Sequence, residues 1–589
     1  MRAQFLFSCL LLLVAVKCSL SNDPANYNDN KRVIVIEKGL NVISDLKNTE
    51  VTLKWSSSHF SASLSIYNSS ITLNIEEQNF LYFNTVSIND SRVEHIVDED
   101  LGLKPILAHN LTVINSALFN LSAKSEIFFA NGTFLKDIHL VGDRVEVHSS
   151  VFVGERNDIS GEHILVDEIS SSLTSFSINI LSRASTVFND ISVYSLTVTL
   201  TGTALNFSKI YCEIVLISLN SKNAMISVSD GDIYSLTLQS NVFQTMPISL
   251  VVFSSIKFTN VTLSSSNVER LELDRIVSMP NSFINLPGCY ISNVFLTNTT
   301  FLHYLPTFTC FTNSILNLKV ANVHIHDVLT AQTLAFETVT LTNSSVVNSH
   351  FLLATSKFAY IDGCLFDGVL FKSEVRVSIL KDSIFRNTTS LSESLMNYEG
   401  GATLTNVTFH ACYDAQLISF NGKMGVSIIS DIFISNCSGK YVFSSMPSVY
   451  TMKFTSIFVS GCEFSNFCVG SFSNTRTISF NDISIVDTLF SSVVDIKSSG
   501  SDGAITFANI SVENSQYKVF CTVMGSFSYF SLINSHLRVP DESIGFLFAQ
   551  SCEMNVRISD ILANISIAQY SSSKVQNTCC ILTIAIVFF

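Results

Sequence analysis

Short stretches in which apolar and polar residues alternate recur along the chain, with the form apolar-x-apolar-x-[Asn/Asp]-apolar-x-apolar. Alternation with a period of two marks a half-buried strand. Aligned on the Asn or Asp, Asp431-Ile-Phe-Ile-Ser-Asn436-Cys437 matches Ser456-Ile-Phe-Val-Ser-Gly461-Cys462. Asp482-Ile-Ser-Ile-Val-Asp487 and Asn509-Ile-Ser-Val-Glu-Asn514 continue the series. The anchors 406, 431, 456, 482, 509, 534 and 560 are separated by 25, 25, 26, 27, 25 and 26 residues. Upstream, Asn322, Asn343, Asp362 and Asp382 step by 21, 19 and 20, and a further 24 lead to Asn406. A second polar residue recurs five positions after the anchor: Asn298 after Asn293, Asn348 after Asn343, Asn387 after Asp382, then Asn436, Asp487 and Asn514. The N-terminal third is less regular, but Asn84 with Asn89 and Asn115 with Asn120 keep the interval. Two polar residues bracketing four alternating ones predict a short strand between two bends, because Asn tolerates left-handed backbone and bonds its own turn. Stacked Asn residues also form amide ladders.

A strand-rich unit of 19–27 residues, repeated without helical periodicity, predicts an all-β solenoid. Each unit is one coil of short parallel strands. If residues 31–570 are all coil, roughly 20–24 coils stack about 4.8 Å apart, most regularly over 320–565. Their inward Phe, Ile, Val and Leu line the bore. That reading accounts for 46 Phe and 47% hydrophobic residues beside only 14% charged ones. A leucine-rich repeat is the alternative fold, on Val268-Glu-Arg-Leu271-Glu-Leu273 and Asn281, but its L-x-x-L-x-L-x-x-N frame does not recur.

The net charge of −14 over 589 residues argues against a nucleic-acid partner. No interior apolar run reaches 18 residues, which argues against a multi-span membrane protein. The two ends carry addresses. Residues 1–18 read as a secretory signal peptide: Arg2, the apolar Phe5–Val16, and small Val16 and Cys18 before the cleavage point. Residues 571–589 read as a GPI-attachment signal: Ser571-Ser572-Ser573, the polar spacer Lys574–Thr578, and an uncharged tail to Phe589. Ser571 is the expected attachment site. Its spacer is short, and Asn564 or Ser566 are the alternatives that lengthen it. A buried final strand of a secreted protein, or a short anchor acylated at Cys579 and Cys580, are the other readings of the tail.

Fourteen N-x-[ST] sequons lie between the signals: Asn68, Asn89, Asn110, Asn120, Asn131, Asn206, Asn260, Asn298, Asn343, Asn387, Asn406, Asn436, Asn509 and Asn564. Behind a signal peptide they read as glycosylation acceptors, against the alternative that several are internal ladder residues. Cys412, Cys437 and Cys462 are spaced 25 apart twice and fall in one column of a stacked solenoid. Neighbours in such a column form either a disulfide or a buried thiol ladder, and three cannot all pair, which favours the ladder. Cys462 and Cys468 fall in one coil and are spaced to pair across a turn.

The coil pattern resembles the right-handed parallel β-helix of pectin-lyase-like proteins. It is also similar to the polymorphic outer-membrane adhesins of chlamydiae, whose repeats carry GGA[ILV] and FxxN. Gly400-Gly401-Ala402, Asp502-Gly503-Ala504-Ile505, Phe295-Leu-Thr-Asn298 and Phe433-Ile-Ser-Asn436 carry the likeness, over about Asn189 to Asn564. The resemblance implies the handedness and an adhesion-like role. It does not imply the adhesins' export route, since their barrel has no counterpart here.

Such folds also host polysaccharide lyases and hydrolases, which need paired carboxylates or a basic residue in a groove. No Asn-Thr-Asp, Asp-Asp, Gly-His-Gly or R-x-P-x-x-R segment is present. His324 and His326 share one strand face, with Asp327 next to them, and are the best single candidate for a metal, against the plainer reading of a polar outer face of a coil. The expectation is a non-enzymatic, glycosylated, GPI-anchored β-solenoid on the extracellular face of the plasma membrane. It acts in adhesion or as a coat, takes an unknown protein or glycan ligand, and needs no cofactor. A secreted carbohydrate-active enzyme is the alternative.

Overall fold

The structure is a computed structural model. It describes residues 31–588 except 56–61, 77–82, 98–103, 155–156, 171–176, 221–222, 241–246, 265–266, 287–289, 303–306, 311–314, 327–331, 375–377, 391–393, 399–400, 421–425, 446–450, 473–476, 499–502, 526–528, 538–544, 551–554, 563–564 and 571–583. The described residues hold strands and no helix. The fold is a parallel β-solenoid of about 22 residues per turn. The leucine-rich alternative does not describe it: strand follows strand with no helical return among the described residues, and Asn281 lies inside the strand Val277–Leu286.

Two compact units divide the chain, Met1–Arg270 with Phe283–Cys289, and Leu271–Ser282 with Tyr290–Phe589. The first opens with β1 (Lys31–Ile36) and β2 (Gly39–Ser44), which pair in parallel with β3 (Thr49–Trp55) and β4 (Ala62–Tyr67) of the next coil. The second unit adds a nine-stranded sheet running from Ser394–Tyr398 to Ile584–Phe588.

The coils turn at residues in left-handed backbone. In the first unit these are Asp45, Asn68, Asp90, Asn115, Gly132, Ser149, Glu168, Asp190, Lys209, Asp230 and Ser255. In the second they are Arg275, Asn298, Asn322, Asn343, Gly363, Asp382, Asn406, Asp431, Ser456, Asp482, Asn509 and Asn534. A second corner follows five residues on at Asn120, Asp137, Gly154, Asn348, Gly368, Asn387, Ala411, Asn436, Gly461, Asp487 and Asn514. The five-residue interval is therefore a pair of corners, with exceptions, among them Asn84, which lies inside the strand Phe83–Asn89. Asn293 lies inside the strand Tyr290–Thr297 and accepts from Asn317 Nδ2 at 3.1 Å, so only Asn298 is a corner there. Asn89 and Asp362 each end a strand, and the chain turns one residue later, at Asp90 and Gly363.

Between corners, alternate residues face the bore. In Thr451–Ser460, Met452, Phe454, Ile457 and Val459 are buried while their neighbours are not. Parallel in-register pairing sets each inward residue above its equivalent. Phe454, Phe480 and Phe507 stack at 4.8 Å per step. Phe366, Phe385 and Phe409 stack at 4.7 and 5.2 Å. The spacing of strands across a sheet is what places rings at this distance.

Candidate functional site

The outer side of several corners carries amide–carboxylate rungs. An Asn donates Nδ2 to the Asp of the preceding coil: Asn68 to Asp45 at 2.7 Å, Asn298 to Asp274 at 2.8 Å, Asn387 to Asp367 at 3.0 Å, Asn406 to Asp382 at 2.7 Å and Asn509 to Asp482 at 2.8 Å. Asn322 to Asn298, at 3.2 Å, is an amide–amide rung. Burial alone pushes the Asp274 carboxyl up, but hydrogen bonds from Asn298, Thr297 and Arg275 outweigh it and hold it below the ordinary range. Asp367 is held low by the Arg386 guanidinium and Asn387.

This corner spells the sequon. Asn supplies left-handed backbone, the next residue faces inward, and the one after faces outward on a strand, where Ser and Thr are common. Asn68-Ser69-Ser70, Asn298-Thr299-Thr300 and Asn436-Cys437-Ser438 are examples. Of the sequon asparagines, Asn68, Asn120, Asn298, Asn343, Asn387, Asn406, Asn436 and Asn509 are left-handed corners, all exposed. Asn110, Asn131 and Asn206 are exposed strand residues, and Asn260 is half-buried. Asn89 is half-buried, with Nδ2 bonded to Ser87 Oγ at 3.0 Å. Asn564 lies outside the described residues.

Glycine occupies a corner only sparingly. At Gly461 φ is +62°, and an added Cβ would sit 2.9 Å from Asn436 Oδ1. Gly461→Asn is expected to be nearly neutral, because Asn fills the equivalent corners and the Asn436 carboxamide can turn aside. Gly461→Val should cost about 1–3 kcal/mol, since a β-branched residue resists positive φ. Chemical unfolding of the two variants separates these outcomes.

The inner side of the corners carries a second ladder, which sequence reasoning saw only at its cysteines. Where the residue after a corner is Ser, Thr or Cys, it is buried and its side chain commonly accepts the backbone N–H of its equivalent in the preceding coil. Ser69 N–H donates to Ser91 Oγ at 3.1 Å, and Ser91 N–H to Ser116 Oγ at 3.1 Å. Cys412 N–H donates to Cys437 Sγ, and Cys437 N–H to Cys462 Sγ, both at 3.3 Å. Cys462 N–H donates to Thr488 Oγ1 at 3.5 Å, and Thr488 N–H to Ser515 Oγ at 3.0 Å. Each hydroxyl or thiol in turn donates to the carbonyl two residues before it, as Ser91 does to Asn89 and Cys437 to Ser435. The corner N–H groups, which bend away from the strand ladder, are thereby satisfied in a dry interior.

Cys412, Cys437 and Cys462 are buried members of this ladder, and Cys437 and Cys462 are free thiols. Cys468, the other candidate for pairing with Cys462, is also free and buried. The Cys437 thiol is pushed up to about 12 by its neighbours Cys412 and, secondarily, by burial. Burial pushes Cys212 and Cys468 up to about 12 and Cys364 to about 11. Such thiols are held protonated and are poor nucleophiles. Cys437→Ser should leave stability within about 1 kcal/mol, because a hydroxyl fills this place in other coils. Cys437→Ala should cost about 1–3 kcal/mol by leaving the Cys412 N–H buried without an acceptor. Denaturant midpoints of the two variants report the difference.

The nine-stranded sheet carries two buried to half-buried columns that are mostly polar. Gln416, Tyr441, Asn466 and Ser492 stack in register, as do Ser419, Ser444, Val469, Asp495 and Thr522. Gln416 Oε1 accepts from Ser394 Oγ at 3.4 Å and from Ser444 Oγ. Half-burial pushes the Asp495 carboxyl up, against the opposing pull of Lys497, and its Oδ1 has no hydrogen-bond partner. Among the described carboxylates with displaced titration, Asp495 alone moves upward. No signal in the repeat pattern marked it.

His324 is exposed in the strand His324–His326, with Nδ1 2.7 Å from Ser345 Oγ. The His326 side chain and Asp327 lie outside the described residues. Among the described residues no group of His, Cys, Asp and Glu is arranged to hold a metal ion. Ser571 lies outside the described residues, and Ser566 is within the strand Ile565–Tyr570. Ile584–Phe588 pairs in parallel with that strand. No helix among the described residues is long and apolar enough to cross a membrane. No protein-family model matches the chain, and no curated protein matches it.

Proposed function

We propose that this is a non-enzymatic glycoprotein of the cell surface, held on the extracellular face of the plasma membrane by a GPI anchor. Its solenoid wall serves adhesion or forms a coat, with a protein or glycan as ligand. The observation that carries the reading is the outer corner column, where eight sequon asparagines project exposed from left-handed turns. Among the described sequon asparagines, Asn89 is the least suited to carry a glycan, given its half-burial and bonded carboxamide. Ser571 suits the anchor better than Asn564 or Ser566: cleavage there leaves the strand Ile565–Tyr570 intact, whereas cleavage at Ser566 severs it.

The corner asparagines Asn298 and Asn436 of the two FxxN segments support kinship with right-handed parallel β-helices of the adhesin type. Phosphatidylinositol-specific phospholipase C tests the anchor. Release of the protein from intact cells, with a mass that falls on enzymatic deglycosylation, is the expected result. A protein found wholly in the medium before treatment rejects the anchor, and one whose mass is unmoved by deglycosylation rejects the glycans. Asp495 favours a second reading, a secreted carbohydrate-active enzyme with that carboxyl as general acid. Polysaccharide cleavage by the purified protein, abolished in Asp495→Asn, would establish it.

A further inference from the structure

We propose that β1 pairs antiparallel with β1 of a second copy of this chain, giving a two-fold head-to-head dimer. The proposal needs neither the anchor nor the glycans.

The first coil ends in two unlike ways. Over β2 the bore is closed by Asn41, which lies in register with the buried Leu64. Its Oδ1 accepts the Glu37 N–H at 3.0 Å, and its Nδ2 donates to the carbonyls of Glu37 at 2.9 Å and of Gly39 and Ser63 at 3.3 Å. That side is capped by a polar plug. Over β1 no such plug is present among the described residues. Ile34 lies in register with Leu53, which is wholly buried, yet Ile34 itself is only half-buried. Val33 is 58% and Val35 48% exposed. Among the described residues β1 pairs with one strand, β3. Edge strands are ordinarily guarded by Pro, by a bulge or by a charge in mid-strand. β1 has no Pro, bulge or mid-strand charge; its two charges, Lys31 and Arg32, sit together at one end, with Arg32 in register with the buried Val51.

The occupant is written in the strand's own sequence. Lys31-Arg32-Val33-Ile34-Val35-Ile36-Glu37 is self-complementary when reversed, except that Arg32 falls opposite Ile36. Antiparallel pairing centred on Ile34 sets Val33 opposite Val35 and Lys31 opposite Glu37, each twice across the two-fold axis. The apolar outer faces adjoin, the two Ile34 side chains meet over the open bore, and opposite charges face at both ends. Lys31 also bridges Glu50 within the chain at 3.0 Å and shares that contact with the partner. A two-fold interface of this kind uses the same patch on both copies and closes at two, so it ends in dimers and not fibres. The backbone supplies the ladder, as in other strand additions.

Sedimentation of the full secreted chain tests it. Wild type is expected at twice the monomer mass. Val33→Asp/Val35→Asp should be monomeric with an unchanged circular dichroism spectrum. Glu37→Lys sets like charges opposite at both ends and should weaken dimerisation about tenfold, and Lys31→Glu/Glu37→Lys should restore it. A wild type that stays monomeric at roughly 100 µM, as when residues preceding Lys31 cover the edge, overturns the proposal. So does a Val33→Asp/Val35→Asp variant that still dimerises, or a double charge reversal no better than Glu37→Lys.

Discussion

Replacing Phe480 by Ala is expected to destabilise its stretch of the solenoid by about 3–5 kcal/mol. Phe480 is 1% exposed, and its ring is sandwiched between Phe454 and Phe507 at 4.8 Å on either side, with interplanar angles of 6° and 7°. Removing it opens a gap in the middle of a stack. The rings above and below cannot close that gap, because the strand ladder fixes their separation. In a quasi-one-dimensional fold the loss falls on the nearest coils. Hydrogen exchange should therefore show protection falling by about two to three orders of magnitude in Thr451–Ser460, Thr477–Val486 and Ala504–Glu513, with little change several coils away. Phe433→Ala is the control. Phe433 faces outward and is 48% exposed, and its loss should cost under about 1 kcal/mol. Equal effects at the two positions would mean that the stack is not what holds these coils together.

The corners were the legible part of this fold. Asn at 322, 343, 406 and 509 and Asp at 382, 431 and 482 are all left-handed turns, because few residues accept that backbone and Asn and Asp are among them. The misplacements have the same cause. At Gly363 the turn falls on glycine, which takes positive φ without strain, while the neighbouring Asp362 ends its strand and accepts from Tyr360 Oη at 2.7 Å. An alignment that counts only Asn and Asp slips by one there.

The inner ladder was hidden for a different reason. Its members are Ser, Thr or Cys, and what unites them is a buried acceptor one residue after a corner, a place that is polar in sequence and interior in space. The same rule explains why sequons are so frequent: the corner grammar writes N-x-[ST] whether or not a glycan is added. Asp495 was not legible at all, since its half-burial arises from a pairing of separate coils in the second sheet and not from any local pattern.

Acidification should weaken the first unit in a window set by one residue, His95. It lies in the strand Arg92–Ile96, is wholly buried, and its Nδ1 accepts the Ser122 N–H at 3.2 Å. Burial lowers its pKa to about 4 from an ordinary 6.5, against opposing backbone hydrogen bonds at Lys104 and Ser122. The folded chain thus prefers neutral His95, while the unfolded chain binds a proton near pH 6.5. Its contribution is fully present above that pH, declines as the pH falls from about 6.5 to about 4, and is flat below. The whole change is at most about 3 kcal/mol. Asp274 and Asp367, held low by their partners, lose their contributions only at more acid pH, so the two effects separate. Trp55 is the one tryptophan of the chain and lies in β3, two coils below His95 in the same ladder. Its fluorescence during denaturant unfolding should report a midpoint that falls between pH 7 and pH 4.5 in wild type. In His95→Leu the slope over that window should vanish, at the cost of the Ser122 N–H losing its acceptor at every pH. A slope that survives in His95→Leu would place the titrating group elsewhere.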